Sequence, residues 1–567
     1  MLVVIAQKHY VMTRSLEARV CCLGKAALFL RFQRYDLEPD IPITWIQMPE
    51  GDGDEQRFPI LKMSDTVKYL SRNDMLNKLL GDPPKEDVPT ILLTFWRRYS
   101  KLFPDHEIFS AASRGEVSLQ RAIPCYVHGD EGRGYKKSGV LLVSVQGIIG
   151  KGTQQFMARH DSNERRDRMG LNLLGSSFNS RFLVAVMGKK HYGDSMANYH
   201  AIFSAVVDDL LDLQTGFEHS GERHHVVCLG MKGDLPYLAK TGHHERHWLR
   251  AERRHKQPEQ GGVLPAGVCW RCYAGTPEGG PFEDFNWDAK WNNVVAPLPW
   301  SQTPSFLKLF HQPSCPEGMF RADIWHNYHG GVGKMFVASS LTEAMQLGLA
   351  DGSSRAAKIE QVNALLKKWA RAPGKALPHS GPFTQERIGL TSWAVLPDAS
   401  WSKHDDTRIY HQFLEDWLTS CEDTAMADDV LRRILWGCRC INRAFTILYE
   451  NGLWLHRKEA MTVGILMRQW LRLYSELAVL TLQAGRLRYP LVVKHHMMDH
   501  HCRDLLEQAV RSERVWNVLA DSVQLDEDFV GHSARLARRV SPISQALRVL
   551  ERYRTRAMEV WAKAAQA

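Results

Sequence analysis

No window of this sequence approaches the ~20 consecutive apolar residues that a membrane-spanning helix needs. Cysteine is sparse: eleven in 567 residues, an odd number, scattered along the chain. A secreted disulfide framework would be denser and evenly paired, so the expected compartment is reducing. The opening MLVVIAQKHYVMTR starts apolar, but no basic stretch precedes it and no signal-peptidase-like exit follows. The expectation is a soluble intracellular protein with no membrane partner. Internal repeats and low-complexity segments are absent. A large excess of one charge is missing too: 72 Lys and Arg stand against 63 Asp and Glu. That balance permits a nucleic-acid partner without arguing for one. GGVGK, ending at Lys334, lacks the full GxxxxGK[ST] frame, which excludes a P-loop NTPase.

What is present is a globular composition, with 44% hydrophobic residues, 24% charged residues and seventeen Trp. The length predicts two or three lobes. Residues 1–120 mix short apolar runs with acidic and Pro-rich breaks, which suggests a small, mainly helical or irregular lobe. From 121 the pattern changes. AIPCYVH and VLLVSVQGIIG flank a Gly-rich turn and predict a β-hairpin; RFLVAVMG is a third strand. ANYHAIFSAVVDDLLDLQTGF has helical spacing, and HHVVCLGM is a fourth strand. Three antiparallel strands, then a helix crossing to a parallel strand beside the first, open a ribonuclease-H-like domain. The predicted fold is therefore α/β, a ribonuclease-H-like mixed sheet begun over 121–255. A loop-rich zinc-knuckle segment (256–320), a long helical region completing the core (321–505) and Arg-rich C-terminal helices (506–567) come after it.

Alternate strand residues share a face, so Tyr126, His128 and Asp130 point one way and Cys125 and Val127 the other. Asp130 could be a metal-binding acid at the strand's mouth or the opening of a hairpin turn. Asp234, after the fourth strand, could be a second such acid or a helix N-cap. The topology makes their strands neighbours, and two converging carboxylates repel unless a divalent cation lies between them. Oxygen-only donors suit Mg²⁺ or Mn²⁺, the ions of two-metal phosphoryl transfer. Cys269-x-x-Cys272 is half of a zinc site, or two ordinary thiols; His243, His244, His247, His255 and Cys315 are available to complete it. Lys494-His495-His496 with His500-His501 offers i,i+4 pairs that could bind metal, though exposed or hydrogen-bonded histidines are the commoner outcome. Asp323 and His326 could start a helix as a cap and a surface residue. A helix after Asp234 would align Arg246, Arg250, Arg253 and Arg254 as a basic face for phosphates, or as a solvated surface.

With these residues in hand, the chain resembles DDE transposases, most nearly the CACTA (Tnp2-like) type. YVHGDEGRG followed by an apolar strand is similar to the segment bearing the family's first catalytic Asp. CLGMKGDLPYLAKTGHH leading into GVCWRCYAGTP resembles the block that joins an acid-hydrophobe-Pro step to a Cys-x-x-Cys knuckle. DIWH resembles the [C/D]-x-x-H signature placed after the second Asp, and YPLVVKHHMMDHH a late aromatic-to-His stretch. The resemblance covers scattered blocks over about 120–505. It implies Asp130 and Asp234 as catalytic metal ligands, Asp323 and His326 as a supporting signature, and a third acid on a late helix. Glu450 is the first choice for that acid, with Glu415 and Glu476 behind it. It further implies catalytic Mg²⁺ or Mn²⁺, structural Zn²⁺, DNA as partner, a homo-oligomer on DNA and a nuclear location. The implied activity is DNA strand cleavage and transfer. The alternative is a catalytically inactive zinc- and DNA-binding protein retaining the fold.

Overall fold

The computed structural model describes residues 41–50, 57–134, 138–193, 196–250, 267–401 and 405–566. The N-terminal part is a hairpin, β1 (Thr44–Gln47) and β2 (Arg57–Ile60), followed by helices α1 (Met63–Arg72), α2 (Val88–Leu102) and α3 (Glu107–Ser113). Hydrogen bonds tie this part to the central strands: Leu61 N donates to Val184 O at 2.8 Å and Trp96 Nε1 to Ala122 O at 2.8 Å.

The central element is a mixed sheet. Strands β3 (Ala122–Arg133), β4 (Gly139–Gly147) and β5 (Arg181–Gly188) pair antiparallel in succession. Helix α4 (Ala197–Thr215) then crosses to β6 (Glu222–Gly233), which lies parallel to β3 on its other side. Helix α5 (Leu235–Thr241) comes next, and β7 (Phe320–Ala322) adds parallel to β6. The spatial order is β7-β6-β3-β4-β5. These strands are near-continuous apolar runs because both faces are covered, as a sheet flanked by helices requires. The order of pairing expected from the sequence is the one found. The chain is thus mixed α/β.

After β7 comes a long helical excursion: α6 (Gly333–Gln346), α7 (Arg355–Trp369), α8 (Asp406–Ser420), α9 (Asp429–Glu450), a short strand β8 (Trp454–His456), α10 (Arg457–Gln483) and α11 (Val493–Arg511). Strand β9 (Arg514–Trp516) pairs with β8 and closes it. The chain then returns to the sheet with α12 (Gln524–Ala537) and α13 (Gln545–Gln566). Gly132 of β3 meets Val530 and Ala534 of α12, so this helix lies directly over the first strand.

Ions buried under α12 hold its first turn in place. Asp526 accepts from Arg181 Nε at 3.1 Å and lies 2.9 Å from Lys232 Nζ, with all three side chains at most 3% exposed. Burial opposes the Asp526 charge, but Arg181, Lys232 and His128 outweigh it and hold the carboxyl far below its ordinary value. Removing one member of such a group strands its partners without compensation. Asp526→Asn should therefore lower unfolding free energy by about 3–5 kcal/mol in urea titrations. A loss under about 1 kcal/mol would mean that packing alone sets this helix.

Candidate active site and metal centre

Two side-chain groups lie where the later helices meet the sheet. The first is acidic. β3 and β6 run parallel, so their carboxyl ends share one edge, and Asp130 and Asp234 both stand there. Each follows a glycine. A Cβ on Gly129 would come within 2.3 Å of the Tyr237 ring, and one on Gly233 within 2.4 Å, so these glycines let the ring lie across both strand ends. Asp234 is also the N-cap of α5, its Oδ1 accepting from Tyr237 N at 2.7 Å. The cap reading and the site reading hold together.

The face expected of β3 is the one seen. Tyr126 donates to Asp521 Oδ1 at 2.7 Å, His128 feels the charge of Asp526, and Asp130 feels that of Glu527. Burial raises the Asp130 carboxyl well above its ordinary value, and the charges of Glu527 and Asp234 raise it further. Glu527 is raised in the same way by burial, against the pull of His326. Asp130 therefore feels two further carboxylates, Asp234 at the neighbouring strand end and Glu527 on α12.

Glu450 is not among them. It ends α9, pairs with Arg159, and its carbonyl accepts from His160 Nε2. Glu415 binds Asn442 at 2.7 Å, and Glu476 binds Arg433 and Arg472 at 2.8 and 3.0 Å. All three belong to the helical excursion. The acid that joins Asp130 comes after that excursion, in the segment expected to be only Arg-rich terminal helices.

Asp323 and His326 support this third acid. Asp323 Oδ2 contacts His326 Nδ1 at 2.7 Å, and His326 Nε2 lies 3.6 Å from Glu527 Oε1. Asp323 Oδ1 also accepts from Val523 N at 3.1 Å, just before α12 begins. Burial would lower His326, but its bond to Asp323 and the charges of Asp323, Glu527 and Asp130 raise it to about 9. The imidazolium thus bridges the signature and the late helix. Lys494 Nζ holds its position from behind, donating to His326 O at 2.9 Å.

The second group is a buried Cys₂His₂ cluster. Cys269, Cys272, His496 and His500 place their ligand atoms all within 4.8 Å of one another. Cys272 Sγ lies 3.1 Å from His496 Nε2, and Cys269 Sγ 3.4 Å from His500 Nε2. A tetrahedral zinc with bonds of ~2.3 Å to sulfur and ~2.0 Å to nitrogen spans an S···N edge of about 3.5 Å. The donor set fits zinc, and i,i+4 spacing puts both histidines on one face of α11. Asp504, four residues on, binds Arg271 through two bonds of 2.7 and 2.8 Å. The knuckle is tight: Arg271 N donates to Cys269 Sγ at 3.3 Å, and Val268 N to Ala274 O at 2.9 Å. Burial raises the Cys272 thiol. In Cys269 the bonds from Cys272 and the histidines outweigh burial and lower it well below the ordinary value. One sulfur is thereby favoured as thiolate, the form a metal needs.

The nearer donors proposed from the sequence do not complete this site. His244 stacks on Trp270 and Trp300 and meets Phe320 edge-on, Cys315 contacts Glu317, and His255 lies outside the described residues. The basic helix after Asp234 is also absent as far as residue 250. α5 ends at Gly242, and His243 has φ 49°, which breaks any continuation. Arg246 is buried, and it donates to the carbonyls of Cys269, Trp270 and Leu298, bracing the knuckle instead of facing solvent. Arg250 bonds the Glu245 carbonyl; Arg253 and Arg254 lie outside the described residues.

Compared with models of known protein families and with characterised proteins, the chain matches none. No described helix is long and apolar enough to cross a membrane.

Proposed function

We propose that the chain carries a ribonuclease-H-like core that cleaves and joins DNA strands in the manner of DDE transposases. The observation that carries this reading is the buried Asp130 at its strand end, with Asp234 on the adjacent parallel strand and Glu527 on a returning helix both acting on it. Strand order β7-β6-β3-β4-β5 with a helical crossover supports the fold assignment. The raised Asp130 carboxyl supports a cation site, because burial and the charges of Glu527 and Asp234 disfavour its ionised form and a divalent ion would offset both.

Asp130, Asp234 and Glu527 would hold Mg²⁺ or Mn²⁺ through oxygen. Such ions, when bound as a pair, activate the attacking oxygen and stabilise the leaving oxygen of a phosphodiester. His326 keeps Glu527 aimed at the cluster through Nε2 while Asp323 holds Nδ1. Tyr237 closes the site from the side of the strand ends. The Cys₂His₂ cluster has a structural part, fastening α11 to the loop that follows Asp234. An inactive zinc- and DNA-binding protein would share that cluster, but it has no need of a third acid beside Asp130.

The test is cleavage of supercoiled plasmid by the full chain. Nicking should require Mg²⁺ or Mn²⁺, and Asp130→Asn and Asp234→Asn should each reduce it at least about 10²–10³-fold. Nicking that persists in both variants, or in excess chelator, would sink the proposal.

A further inference from the structure

Six exposed cations border the acidic cluster without a carboxylate partner among the described residues: Arg133, Lys189, Lys190, Arg535, Arg538 and Arg539. Several surface cations elsewhere are paired. Arg121 pairs with Glu222, Arg432 with Asp429, Arg439 with Glu422, and Arg472 with Glu476. What sets these six apart is where the topology places them.

β5 runs parallel to β3, since both are antiparallel to β4, so Lys189 and Lys190 emerge at the same sheet edge as Asp130. Register brings the set closer still. Arg133 opposes Gly139, and Gly188 opposes Val140, so Lys189 comes level with Gly139 from the other side. With strands ~4.8 Å apart, Arg133 and Lys189 stand about 10 Å from each other across a residue that has no side chain. Arg535 of α12, with Arg538 and Arg539 just past its C-terminal end, joins them: Arg538 Nε donates to Arg133 O at 3.0 Å. The adjoining acid, Glu131, is already held by Lys240 at 3.1 Å. Arginines there also suit the negative end of a helix, which accounts for Arg538 and Arg539. It does not account for Arg133, Lys189 or Lys190.

We propose that this basic shelf holds the phosphate backbone of duplex DNA flanking the phosphodiester at the carboxylates. The inference rests on the reading of those carboxylates as a phosphoryl-transfer site. At 1.5 Å per residue, Arg535 and Arg539 lie about 12–18 Å along α12 from Glu527. At 3.4 Å per base step this is about four or five base pairs from the reacting phosphate. Backbone contacts of this kind position the duplex and carry no base information.

The experiment measures binding of the full chain to a fluorescein-labelled duplex of mixed sequence by anisotropy, without divalent ions, across about 50–200 mM salt. Each phosphate contact contributes about 0.9 to the slope of log affinity against log salt. Lys189→Gln with Lys190→Gln should flatten the slope by about 2, and Arg535→Gln, Arg538→Gln and Arg539→Gln together by about 3. Both sets are exposed, and unchanged melting curves verify the fold. Arg432→Gln with Arg439→Gln and Arg472→Gln, on the helical excursion, should leave the slope unchanged. Slopes unaltered in both shelf variants, or tighter binding of an RNA duplex of the same sequence, would overturn the proposal. Plasmid nicking measured on the same preparations separates the two readings. Full slope loss with no nicking by the unsubstituted chain supports the shelf and rejects the catalytic site. Nicking with unaltered slopes does the reverse.

Discussion

Cys269→Ser should release a stoichiometric zinc ion from the full chain and destabilise it by several kcal/mol, the largest stability effect expected of any single substitution here. Structural zinc sites in small peptides are worth about 10–16 kcal/mol at neutral pH. In this protein the ion ties together elements that already have a hydrophobic core, so only part of that energy appears as stability. The geometry says where the loss would spread. The face of α11 that carries His496 and His500 continues to Asp504 on Arg271, and two residues before His496 the same helix places Lys494 on the His326 carbonyl. Loosening the knuckle therefore frees the helix that steadies His326 from behind. Metal analysis should find about one zinc per chain in the unsubstituted protein and in Cys315→Ser, whose thiol contacts Glu317 away from the cluster. Cys269→Ser and His500→Ala should each lose the ion and melt earlier. Full zinc retention in both variants would show that the four donors are packed together for another reason.

The strands were legible because buried strands are written as runs of apolar residues closed by Gly and Asp, and the acids worth noticing stand at the ends of those runs. Asp130 and Asp234 could be paired on topology alone. The cysteines were legible by their spacing, but their partners were not. His496 and His500 had the right i,i+4 interval, yet a histidine-rich helix looks the same whether it faces solvent, a hydrogen-bond acceptor or a thiolate. Only the fold brings α11 over the 268–275 turn.

Glu527 was illegible for a different reason. The excursion from α6 to α11 begins and ends beside the sheet, and the free energy of closing an insertion grows only slowly with its length. Nothing in the chain therefore marks where the core resumes. QLDEDF is one acidic helix start in a chain with 63 acidic residues, and acids suit any helix N-terminus. Arg246 failed in the opposite sense. Its helical spacing with Arg250 was real, but Gly242 and His243 had already ended the helix, and the guanidinium turned inward to the carbonyls of the knuckle.

The largest effect on activity is expected at that late acid. Glu527→Gln should abolish divalent-dependent nicking, a loss of about 10³-fold or more, whereas Glu450→Gln should leave it unchanged. The two substitutions make the same chemical change on helices of one chain, so their difference reads position alone. Stability should move the other way. Glu527 lies beside the buried Asp130 and its charge helps to raise the Asp130 carboxyl; neutralising Glu527 removes a like-charge repulsion that serves only the bound ion. The metal-free variant should accordingly be as stable as the unsubstituted chain or more so, by about 1–2 kcal/mol, as is common where function holds charges together. Mn²⁺ provides the complementary reading, because an ion that binds only the folded state stabilises it by about 2.7 kcal/mol at a hundred times its dissociation constant. The unsubstituted chain should melt later as Mn²⁺ is added, and Glu527→Gln should respond little. Equal Mn²⁺ stabilisation of both, or undiminished nicking by Glu527→Gln, would remove Glu527 from the site.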